Sequence, residues 1–226
     1  MVFMDDVEDL ELQAINALMQ EHDGVNPNAP IPVDVQLENQ RQIYRRRLQM
    51  QEERTWIQQA MKALRVEFAP SLGPSESDFW KQIRRNTDDL EEGKSPTLEL
   101  DHTYQEAVLA FVKDVAERQD DALALSLFYL LTQLMPNAPT YWEGLGLVFL
   151  KLERYPEAAA AFANLVDCEA DNPMAWLLLA EATTEANEAS EAAAVLEAFT
   201  ERFVDANLAI DEDAMALYQS LASRNR

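Results

Sequence analysis

The sequence repeats itself every 34 residues without a gap. Trp142 and Trp176 stand 34 positions apart, as do Pro139 and Pro173, Leu145 and Leu179, Ala158 and Ala192, and Phe162 and Leu196. One step further back pairs Phe111 with Leu145, Ala124 with Ala158, and Phe128 with Phe162. Chance spacing of leucines in an ordinary helical bundle does not bring aromatic, small and proline positions into register together. Each period must therefore be one structural unit that buries its apolar side against the next copy.

The residues inside each period read as two helices. In the middle copy the first helix carries Trp142, Leu145 and Gly146, and in the last copy Trp176, Leu179 and Ala180. The Gly or Ala is required where a second helix crosses closely. Ala124, Ala158 and Ala192 are the small residues of the second helices, and Phe128, Phe162 and Leu196 fill the space between copies. Two-helix units at this period are tetratricopeptide-type hairpins. The reading is an all-α fold, a solenoid of three tandem hairpins over about 105–138, 139–172 and 173–206. The first copy departs from the pattern, with Val108 and Val112 where the others have Trp and a small residue.

A stack of three hairpins leaves both ends apolar. A capping helix over about 211–223 would close one end, with Asp211 as its N-cap and Met215, Leu217 and Leu221 facing inward. A helix over 76–90, with Phe79, Trp80 and Ile83 as its buried side, would close the other.

The N-terminal part divides into an acidic helix and proline-rich linker over 1–33 and a helical extension over 34–99, ahead of the repeat domain over 100–226. Val7, Leu10, Ala14, Ala17 and Leu18 give a short amphipathic helix over 5–20. Pro27, Pro30 and Pro32 then exclude helix. One long helix is predicted over 34–68, with Ile43, Met50, Ile57 and Leu64 recurring every seven residues as a coiled-coil-like seam. It is followed by a loop over 69–75 and, after the next helix, by a break over 91–96. Residues 36–68 hold seven Lys/Arg, Arg45, Arg46 and Arg47 among them, against four Asp/Glu. Residues 105–206 hold five against eighteen. This opposition favours packing of the extension on the repeats.

Charge and composition narrow the function. The net charge of −23 disfavours nucleic acid and anionic membrane surfaces. The acidic start and the absence of a long apolar run point to a cytoplasmic protein without direct membrane insertion. Nothing assembles a catalytic or metal site: His22 and His102 are isolated, Cys168 is the single cysteine, and Gly144 and Gly146 lie within a helix, where they serve packing. The acidic runs read as caps and solvated faces. The chain is expected to be no enzyme and to need no cofactor.

First helices of such hairpins line the inner face of the stack. Their outward positions are Leu109, Lys113 and Ala116 in the first copy. In the second they are Glu143, Leu147, Leu150 and Lys151, and in the third Leu177, Glu181 and Thr184. This is an apolar groove with a few charges, suited to an extended peptide with spaced apolar anchors.

The stretch 122–203 resembles the class II chaperones of type III secretion, the SycD/LcrH/IpgC group. The matching pieces are Phe128-Tyr129-Leu130-Leu131, Trp142-Glu143-Gly144-Leu145-Gly146 and Tyr155-Pro156-Glu157-Ala158-Ala159. Pro173, Leu179-Ala180-Glu181 and Ala189-Ser190-Glu191-Ala192 extend the match. The resemblance implies a cytoplasmic chaperone that holds hydrophobic, translocator-like client proteins soluble before export. The client contacts would be Leu109, Lys113, Glu143, Leu147, Leu150, Lys151, Leu177 and Glu181. Members of that group use a shorter N-terminal helical region for self-association, which here implies a homodimer through the N-terminal helices. The alternative is a general repeat adaptor in a multiprotein assembly, without a chaperone role.

Overall fold

The computed structural model describes residues 51–91, 100–206, 208 and 210–224, with the backbone alone over 84–91. The predicted helix over 5–20, the proline-rich linker, the seam positions Ile43 and Met50, the Arg45–Arg47 run, His22 and the break after Glu91 lie outside the described residues. The chain forms two compact units, 1–55 and 56–226. In the first, residues 51–55 are helical. Everything below concerns the second.

Residues 56–63 are helical (α1) and widen into a π-helical turn over Leu64–Phe68. The loop expected over 69–75 is instead a 3-10 turn, Ala69–Ser75, interrupted at Gly73 (φ 54°, ψ −125°). Pro70 suits a first helical turn, where its missing N–H costs nothing. Gly73 takes a backbone conformation that a side chain would strain. Helix α2 follows at Glu76–Glu91.

Three hairpins come next: α3 (His102–Glu117) with α4 (Asp121–Leu134), α5 (Pro139–Lys151) with α6 (Tyr155–Cys168), and α7 (Pro173–Glu185) with α8 (Ala189–Phe199). A π-helical turn, Thr200–Val204, extends α8, and α9 (Glu212–Arg224) is the last helix among the described residues. Each helix packs on the one before it along the array, and α9 returns to pack on α7. The fold is thus an all-α solenoid.

Local chemistry explains the helix ends. Asp101, Asp120, Asn172 and Asp211 accept the backbone N–H of Thr103, Leu123, Met174 and Ala214 at 2.9, 3.1, 3.0 and 2.7 Å. Pro139, Pro156 and Pro173 sit in the first turns of α5, α6 and α7. Between the two helices of each hairpin, one residue turns into the left-handed region: Gln119 (φ 62°), Glu153 (φ 58°) and Asn187 (φ 60°). These three are also 34 apart, so the period is written in the backbone as well as in the side chains.

The tryptophans obey it too. Trp142 Nε1 donates to Pro136 O at 2.7 Å, and Trp176 Nε1 donates to Ala170 O at 2.9 Å. Each indole pins the turn before its own helix while its ring packs against the core.

Two glycines in α5 each make room for one phenylalanine. A Cβ at Gly144 would lie 2.7 Å from Phe128 Cδ1, and one at Gly146 would lie 2.7 Å from Phe162 Cζ. Phe128 belongs to the preceding hairpin and Phe162 to the same one. Val112, which fills the small position of the first hairpin, is itself fully buried. The ring of Phe128 reaches instead to Gly144 of the next hairpin. In the third hairpin the matching positions are Ala180 and Leu196, a smaller side chain than phenylalanine, and both belong to one cluster.

The main core is one continuous cluster from Trp56 to Ala182. Its N-terminal end is closed by two segments. Phe68 meets Phe79 and Phe111 with ring centroids 5.3 and 5.5 Å apart, and Phe79 meets Tyr104 at 5.7 Å. Phe79 and Ile83 are fully buried, as expected for α2. Trp56 of α1 packs edge-on to Tyr129 at 5.0 Å. The Arg154 guanidinium lies 5.2 Å from the Trp56 ring while its Nη2 donates to Glu157 at 2.6 Å. Buried Ser126 donates to Gln59 Oε1 at 2.9 Å. A second, smaller cluster joins Leu177, Ala180, Leu196, Phe199 and Phe203 to Ala214 and Leu221 of α9.

Candidate partner-binding groove

The first helices of the first two hairpins, α3 and α5, border an open groove of about 450 Å³. Phe128 and Asp121 of α4 also line it. Its apolar wall is formed by Leu109, Ala116, Phe128, Leu147 and Val148. Leu147 is 45% exposed, one of few large apolar side chains so open to water among the described residues. Burying it against a partner would be favourable, at about 25 cal/mol per Å² of apolar area removed from water.

Register explains this layout. Stepping by 34 places Leu109 level with Glu143, and Lys113 level with Leu147. The two leucines therefore lie on one diagonal of the groove face and the two charged residues on the other. One level further, Lys151 donates to Asp121 Oδ1 at 2.6 Å.

Of the residues the sequence points to, Leu109, Lys113, Ala116, Glu143, Leu147 and Lys151 come together here. Leu150 does not line the groove; it is half-buried against the main core. Leu177 is a correction. It has no exposed surface and packs in the second cluster with residues of α9. Its register matches Leu109 and Glu143, but α9 folds back over α7 and covers the third hairpin's share of the face. Glu181 is removed from the groove for the same reason. Burial raises its carboxyl above the usual range, Glu185 raises it further, and Arg224 of α9 lowers it. Thr184 spends its hydroxyl on Ala180 O at 2.7 Å.

Asp121, Phe128, Thr140, Gly144 and Val148 line the groove and are absent from the sequence-derived set. Phe128 and Gly144 are visible in the sequence only as packing residues. They reach the groove wall because the ring lies over the glycine. Asp121 could have been flagged by charge, as the acid opening the helix that faces Lys151.

Cys168 is half-buried, with Sγ 3.5 Å from Pro136 O. Burial, then Asp167 and Glu169, push its thiol up, away from the reactive thiolate form. Among the described residues no group of three or more His, Cys, Asp and Glu could hold a metal ion. No helix among them is long and apolar enough to cross a membrane.

Stacked helical hairpins with an open apolar groove on their first helices define a protein-interaction fold. The tetratricopeptide repeat family model matches residues 103–173 and 143–206, so this part of the chain is of the tetratricopeptide-repeat type, a fold suited to protein interaction. No curated protein matches the chain.

Proposed function

We propose that the chain is a cytoplasmic chaperone that holds an apolar segment of a translocator-like client protein in the groove between α3 and α5, keeping that client soluble before export. The observation that carries this reading is Leu147, which lines the groove's apolar wall and remains exposed to water. The acidic surface supports it. An apolar client segment would aggregate alone, and a partner of strongly negative charge both covers it and adds repulsion between complexes. Self-association through the N-terminal helices belongs to the same proposal and rests mainly on residues outside those described.

A second reading is a repeat adaptor in a larger assembly. The small size of the groove favours it, since α9 leaves two hairpins open rather than three.

Affinity purification from native cells with mass spectrometry, comparing wild type with Leu147→Glu, tests the site. Client abundance in cells lacking the chain tests the role. Leu147→Glu is the cleaner probe than any change at Leu150, whose side chain belongs partly to the core. A chaperone loses a discrete apolar client on the substitution, and that client disappears from cells without the chain. Partner levels unchanged by removal of the chain point to the adaptor. Partners unchanged by Leu147→Glu put the binding surface elsewhere.

A further inference from the structure

Residues 105–206 carry five cations among eighteen carboxylates. Four of the five are paired: Arg118 with Asp114, Lys151 with Asp121, Arg154 with Glu157, and Arg202 with Asp171. Lys113 alone, among the described residues of that span, holds no carboxylate, and it stands in the groove. Glu143 stands in the same groove, also exposed and without an ion pair. Lys113 and Glu143 have opposite charges and share one groove, yet they do not pair with each other. They lie on the diagonal opposite Leu109 and Leu147.

We propose that Lys113 and Glu143 fix the register of the bound segment: an acidic side chain of the partner pairs with Lys113, and a basic one pairs with Glu143, with an apolar anchor seated against Leu109 and Leu147 between them. The inference rests on the groove reading above and names its ligand, a short apolar segment of a partner protein bearing one acid and one base. The surrounding charge gives the two contacts different roles. A negative surface draws any basic apolar segment and speeds its arrival. It repels acids everywhere except beside an unneutralised lysine. One acid in the partner therefore has one favourable place, and that place sets which residue becomes the anchor.

The test is selection of 12-residue peptides from a random display library against the purified full chain, its Leu147→Glu variant, Lys113→Glu and Glu143→Lys. Lys113 and Glu143 are exposed, so circular dichroism of both variants should match wild type. Wild type is expected to enrich apolar peptides carrying one acid and one base at fixed separation. Lys113→Glu is expected to weaken these peptides roughly tenfold and to select peptides in which the acid is replaced by a base. Glu143→Lys is expected to select an acid in place of the base. Leu147→Glu should weaken every selected peptide. If Leu147→Glu leaves binding intact, the groove reading fails and the inference falls with it. If Leu147→Glu abolishes binding while Lys113→Glu and Glu143→Lys leave peptide charge pattern and affinity unchanged, the groove reading stands and the register inference alone is overturned. Charge-neutral apolar peptides bound equally by wild type and both charge variants would also overturn it.

Discussion

Arg224, in the last turn of α9, donates from Nη2 to Glu185 Oε1 at 2.6 Å and so ties the end of α9 to the end of α7. The ion pair is partly exposed on both sides, so it is worth less than about 1 kcal/mol. Beneath it, Leu221 and Ala214 are buried against Leu177 and Phe199 in one cluster. Arg224→Ala is therefore expected to shift urea stability by no more than a few tenths of a kcal/mol. Leu221→Asp, which places an unpaired charge in that cluster, is expected to cost about 3 kcal/mol or more. Equilibrium urea unfolding of the two variants checks the order; equal effects would mean that the ion pair, not apolar burial, holds α9.

The same corner carries a pH dependence. Glu181 has its carboxyl raised, first by burial and then by Glu185. The folded state thus binds this proton more tightly than the unfolded state. Stability from this site is full below the unfolded pKa and is lost as pH rises through the raised folded one. Glu181→Gln should leave the thermal midpoint near pH 4 almost unchanged and raise it at pH 7. Midpoints measured across that range decide it; a variant less stable at pH 7 would show that Arg224 outweighs burial at this carboxylate.

The left-handed turn residues form a graded series. Holding a residue with a Cβ in this conformation costs about 1 kcal/mol, less for asparagine. Glu153→Gly is expected to raise stability by about 0.5–1 kcal/mol, Gln119→Gly by a similar amount, and Asn187→Gly by less. Thermal unfolding of the three single variants tests this ranking.

Gly146 predicts the opposite sign. Alanine gains about 1 kcal/mol in helix propensity over glycine. Here its Cβ would collide with the ring of Phe162, which is fully buried and has nowhere to move. Overpacking of this kind costs about 1–3 kcal/mol, so Gly146→Ala should destabilise on balance. Combining it with Phe162→Leu should recover part of the loss, because the third hairpin already uses that pairing in Ala180 and Leu196. A double-mutant cycle in urea measures the coupling.

How much of this was legible in the sequence depends on the range of the interaction. The all-α array follows from the 34-residue period, because each apolar position repeats in its own local surroundings. Asp211 as the cap of α9 and the burial of Phe79 and Ile83 follow from short-range patterning in the same way. The fate of Leu177 does not. Its register equals that of Leu109, and only the return of α9 over α7 separates a buried leucine from an exposed one. The 3-10 turn at 69–75 was hidden for a different reason: prolines and glycine signal a break in α-helix, but Pro70 is equally compatible with the first turn of a tighter one. Six of the groove positions were readable, because they sit on the outward faces of α3 and α5. Phe128 and Asp121 were not, because they enter the groove from α4, whose side chains the register assigns to packing.

The most direct test of the groove as the partner surface is site-specific photocrosslinking in the native cell, with a benzophenone side chain placed at Leu147 or at Leu152. Both residues are exposed, at 45% and 39%, but Leu147 lines the groove and Leu152 lies in the turn after α5. A discrete protein crosslinked from position 147 and absent from position 152 is the predicted result. Crosslinking from 152 alone, or the same products from both positions, would contradict it.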